Sequence, residues 1–73
     1  MSIEAFVAAM ERWDEHPEGR EAAANAEAVA QAEGARLGVP TTWLRDEIAG
    51  RRRDGQTMSR AVRGVVAEAS DRG

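Results

Sequence analysis

The stretch Gly34-Ala-Arg-Leu-Gly38-Val-Pro-Thr-Thr-Trp-Leu-Arg-Asp-Glu-Ile-Ala-Gly-Arg-Arg-Arg53 decides how the rest of the chain is read. Gly38 directly after Leu37 is a natural C-terminal stop for a helix, since glycine takes the left-handed conformation freely. Val39 and Pro40 then leave the helical path, and Thr41 or Thr42 can cap a second, short helix. Trp43, Leu44 and Ile48 give that helix an apolar face, and Gly50 is expected to end it after Ala49. Gly34 costs a helix about 1 kcal/mol relative to Ala. It either breaks the first helix or sits inside it where another backbone comes close.

Upstream, Ser2 caps a helix whose apolar positions Ile3, Phe6, Val7, Met10 and Trp13 recur at helical spacing. That helix should stop near Glu15, because Pro17 pushes His16 out of the helical region. Pro17 suits the first turn of the next helix, with Glu18 and Glu21 favourable to its dipole. Residues 21–33 are dominated by Ala and other strong helix formers, and Ala22, Ala26, Val29 and Ala30 form a narrow small-residue face. Downstream, Asp54-Gly55 signals a turn after the Arg51-Arg52-Arg53 cluster. Thr57 or Ser59 starts a last helix with Met58, Val62, Val65, Val66 and Ala69 inward, fraying from Ser70. A two-stranded wing over residues 50–58 is a weaker option. No segment alternates well enough to be a clear strand. The expectation is an all-α single domain over residues 1–73, a small bundle of four to five short helices.

Composition sets the limits. At 73 residues with only Phe6, Trp13 and Trp43 as aromatics, the core must be thin. A homodimer is therefore expected, using the apolar stripe of the first or the last helix. There is no Cys, hence no disulfide or thiolate metal site, and no Lys: all ten basic residues are Arg. No apolar run approaches a membrane span, and the N-terminus lacks the order of a signal peptide, so a cytoplasmic setting is expected. The net charge of −3 is unevenly spread. Residues 1–34 carry eight acids against two arginines, a net of −6. Residues 35–73 carry eight arginines against five acids, a net of +3. An acidic face and a polyanion-facing half are the reading.

Catalysis is not expected. His16 is the only His and lies in a polar turn, while Asp14-Glu15 and Asp46-Glu47 are sequence neighbours that diverge on a helix. No metal-ligand spacing, Gly-rich phosphate loop, cofactor motif or small-molecule site is evident.

Gly34, Leu37-Gly38-Val39, Leu44, Ile48 and Gly50-Arg51 together resemble the helix-turn-helix of phage excisionases, MerR-type regulators and related small DNA-binding proteins. The resemblance covers about residues 30–53. It implies that Gly34 is the small residue of the first helix, Gly38 the turn, and Val39 and Leu44 the buried contacts. Glu33 and Glu47 depart from the pattern, standing where the family buries aliphatic residues. The implied function is that of a transcriptional regulator or phage or plasmid accessory factor. Helix 41–49 would enter the major groove, with Arg45 pairing with guanine and Thr41 and Thr42 touching base or phosphate. Arg51, Arg52 and Arg53 would grip phosphates, joined by Arg36 and Arg60. A rival reading is a helical protein-interaction module such as an antitoxin or inhibitor. It would dock a basic partner protein on Glu11, Asp14, Glu15 and Glu18 around the turn between the first and second helices.

Overall fold

The computed structural model describes residues 2–72 and consists of four helices and no strand among them. They are α1 (Ile3–Glu15), α2 (Arg20–Leu37), α3 (Thr41–Arg53) and α4 (Met58–Arg72). The sequence punctuation explains most boundaries. The Ser2 hydroxyl accepts from the Ala5 N–H at 3.2 Å, capping α1, which ends at His16 before Pro17. Thr57 does the same for α4, accepting from the Arg60 N–H at 3.2 Å.

Four boundaries differ from expectation. α2 starts at Arg20 and not at Pro17, because the Gly19 N–H closes a turn onto the His16 carbonyl and Gly19 itself is the N-cap. α3 is capped by neither Thr41 nor Thr42. Pro40, in an extended conformation, is its N-cap, and its carbonyl takes the first helical bonds from Trp43 and Leu44. α3 also runs through Gly50 to Arg53. The residues after Gly50 are good helix formers whose positive charge suits a helix C-terminus. Gly55, with φ of 94°, makes the stop instead, and the Gly55 and Gln56 N–H groups bond back to Arg52 and Arg51. Residues 54–57 are thus a tight connection and leave no room for a wing. Lastly, α4 holds through Ser70 to Arg72, where the Arg72 guanidinium lies 5.2 Å from the Trp43 ring centroid.

One core joins the helices. Phe6, Val7, Ala9 and Met10 of α1 meet Ala26, Val29 and Ala30 of α2, Leu44 and Ile48 of α3, and Met58, Ala61, Val62 and Val65 of α4. The apolar stripes of α1 and α4, each a candidate dimer face, are therefore consumed inside the monomer. α1 packs on α2 and α4, and α3 also packs on α2 and α4. The backbones of α1 and α3 do not approach one another within 8 Å. They stand as two walls with the small-residue face of α2 between them.

Glu33 is the exception in this core, fully buried on the inner side of α2. Its Oε1 accepts from Arg36 Nε and Nη2, while its Oε2 is buried without a partner. The position is an aliphatic one in space, occupied by a carboxylate.

Candidate nucleic-acid interface

The connection between α2 and α3 is three residues long, and two glycines shape it. Gly38 adopts φ of 74°, the left-handed conformation a side chain resists. The Val39 N–H bonds back to the Gly34 carbonyl at 2.9 Å, folding the turn onto the last turns of α2. At Gly34 a Cβ would stand 2.9 Å from the Val39 carbonyl oxygen and 3.5 Å from Leu44 Cδ1. A glycine is what lets the turn and Leu44 seat this closely. Gly34 is thus inside α2 for a close approach, the second of its two expected roles.

This seating sets which side of α3 faces outward. Leu44 and Ile48 are buried, and Thr42, Asp46, Ala49 and Arg53 recur on the opposite face, exposed and uncovered by any other element among the described residues. Thr41 is half-buried at the first position of the helix.

Arg45 does not lie on that outer face. It stands at the edge toward α2, where Nη1 donates to Glu27 Oε2 at 2.9 Å and the guanidinium lies 5.6 Å from the Trp13 ring centroid. One turn further, Arg52 on the same edge donates to Asp14 Oδ2 at 2.9 Å and to the Gln56 carbonyl at 2.7 Å. Arg51 turns to the other side of α3. There it donates to Glu68 Oε2 at 2.9 Å and lies against the backbone of Gly64, with its Nε buried and unpartnered. Arg36 is held by Glu33, whose hydrogen bond first and charge second raise the guanidinium pKa above its ordinary value. Four of the six arginines expected at the interface thus close onto carboxylates of this chain.

Arg53 and Arg60 remain exposed with no carboxylate within 4 Å among the described residues, and so does Arg63. Arg60 shares an i, i+4 row with Gly64 and Glu68, the row that meets Arg51, so it stands on the α3 side of α4. Sequence reasoning passed over Arg63, whose place off the apolar stripe was visible but carried no motif. Of the acidic cluster, Asp14 is taken by Arg52, while Glu11, Glu15 and Glu18 are exposed without an ion pair among the described residues. Among the described residues no group of three His, Asp or Glu side chains converges as a metal site would require. No helix is long and apolar enough to cross a membrane.

Comparison with protein-family models, with curated proteins and with solved structures gave no match.

Proposed function

We propose that this protein binds DNA through α3, as a small non-enzymatic regulator or accessory factor. The observation that carries the reading is the tight α2–α3 turn. Gly34 and Gly38 seat α3 so that one long face of it is uncovered, with Arg53 on that face and Arg45 and Arg52 at its edge. Arg60 adds a further positive charge from α4, on the Arg51 side of α3. Arg36 and Arg51 leave the proposed set, because each is committed to a structural contact.

The ion pairs on Arg45 and Arg52 do not bar this role. The side chains of the Arg45–Glu27 pair are 48% and 43% exposed, and those of Arg52–Asp14 36% and 39%. Pairs that exposed contribute about 0–1 kcal/mol. A guanidinium–phosphate contact with counterion release offsets that cost. Asp46 on the outer face works against phosphate approach and points to a shallow docking in which Arg45 and Arg53 straddle it.

The test is fluorescence polarisation with a labelled 25-base-pair duplex pool at 50–200 mM salt. Four arginines at phosphates predict a log–log salt slope of about −3 to −4. Arg53→Ala and Arg60→Ala should each reduce the slope by about 1. Binding that ignores salt and both substitutions, or no binding at 50 mM salt, would refute the reading.

A second reading keeps a specific observation of its own. Glu11, Glu15 and Glu18 are exposed near the α1–α2 connection with no ion pair among the described residues, which suits a basic protein partner. Charge reversal at these three positions separates the two readings: it abolishes such a partnership and leaves DNA affinity intact or higher.

A further inference from the structure

Between the walls of α1 and α3, over the alanines of α2, lies an open cleft of about 460 Å³. Its floor and walls are Met10, Trp13, Ala26, Ala30, Ile48 and Met58. It falls within the range of small-molecule sites, which occur between the helices of bundles and combine an apolar lining with few polar groups. The small side chains of Ala23, Ala26 and Ala30 are what hollow it out.

The charges at its mouth narrow the ligand class. Five charged side chains line the cleft: Asp14, Glu27, Arg45, Arg52 and Arg53. Four close on one another as the Arg45–Glu27 pair, which ties α3 to α2 at the floor, and the Arg52–Asp14 pair, which crosses from α3 to α1. Arg53 is left over, a single positive charge at the rim. A cation would meet that surplus, and a dianion would keep one charge unpaired beside apolar surface. One anionic group on an apolar body matches.

We propose that this cleft binds a small monoanionic amphiphile, its aromatic or branched aliphatic body against Trp13, Ala23 and Ala49 and its acid group at Arg53. The site stands whether or not the protein binds DNA. It also reaches the edge of α3 that carries Arg45 and Arg52, so an occupant touches the two side chains that link α3 to the acidic half.

The experiment compares two fluorescent probes with the same body. One is 1-anilinonaphthalene-8-sulfonate, a monoanion; the other is N-phenyl-1-naphthylamine, which lacks the sulfonate. Titrations are followed by probe fluorescence, with stoichiometry from calorimetry. One equivalent of the sulfonate should bind, about fivefold tighter than the amine, the reach of one exposed charge pair. Arg53→Gln should erase that preference. Ala49→Trp, at an exposed position on the cleft wall, should weaken both probes at least tenfold while circular dichroism and Tm stay those of the parent. Ala23→Leu, from α2 at the floor, serves as the second filling variant. Equal affinity of the two probes, or indifference to Arg53→Gln, overturns the anion assignment. Several equivalents bound, or probe binding that survives both filling variants, overturns the cleft itself.

Discussion

Replacing glycine by alanine at positions 34 and 50 should change stability in opposite directions, although both lie inside helices. In an open helix interior alanine is favoured over glycine by about 1 kcal/mol. At Gly50 nothing lies within 4 Å of the added Cβ. Gly50→Ala should therefore stabilise by about 0.5–1 kcal/mol. At Gly34 the same propensity gain meets a Cβ only 2.9 Å from the Val39 carbonyl oxygen, with Thr41 N at 3.6 Å behind it. The obstacle is backbone and cannot rotate away; the whole turn must lift, carrying Leu44 out of its seat. Overpacking of this kind costs about 1–3 kcal/mol, which cancels or exceeds the gain. The two variants should differ by about 1–3 kcal/mol, and by at least about 4 °C in Tm for a domain of this size. Thermal and urea unfolding followed at 222 nm measure both. Equal stabilisation by the two substitutions would refute the close seating of the turn on α2, and the outward face of α3 with it.

Three further perturbations probe the charges and caps. Glu33→Leu should raise stability by about 1–2 kcal/mol in urea titrations. It exchanges a fully buried carboxylate with an orphan oxygen for an aliphatic side chain, and half-exposed Arg36 returns to water without loss. Destabilisation would mean that the buried acid holds a contact the packing does not reveal. A double-mutant cycle on Arg45→Ala and Glu27→Ala should yield a coupling of about 0.2–1 kcal/mol, shrinking with added salt; a coupling above about 2 kcal/mol would mean the pair is desolvated and α3 is not free to present Arg45. Thr57→Ala should cost about 1 kcal/mol through loss of the cap on Arg60 N–H, with no change in any salt slope for DNA.

The helices were legible because period and punctuation agreed: Ser2, Pro17, Gly38 and Thr57 mark ends of the apolar stripes they border. Local spacing places the end of α3 too early, where two glycines compete. Gly50 is the better-placed stop by spacing, yet Gly55 is the residue that reaches positive φ, and only it lets two N–H groups bond back to α3. What local spacing cannot express is pairing across the fold. Arg45 meets Glu27 across 18 positions and Arg52 meets Asp14 across 38. Arg45 sits where a helical period alone makes it look outward; the acidic wall of α2 turns it sideways.

The same pairings change what the charge asymmetry of the chain means. Counted along the sequence, the basic second half invites a polyanion. In space, Glu27, Glu33 and Asp14 from the acidic half neutralise Arg45, Arg36 and Arg52 from the basic half, and Glu68 neutralises Arg51. Two of these pairs, Arg45–Glu27 and Arg52–Asp14, tie α3 to the acidic half, the second across a gap where the α1 and α3 backbones do not meet. It follows that losing DNA affinity on Arg51→Ala or Arg52→Ala would be ambiguous, since each also removes a tie that positions α3. Arg53 and Arg60 hold no ion pair within the fold among the described residues. Their substitution leaves the fold's own ion pairs whole, so a change in salt slope there does not come from a loosened α3.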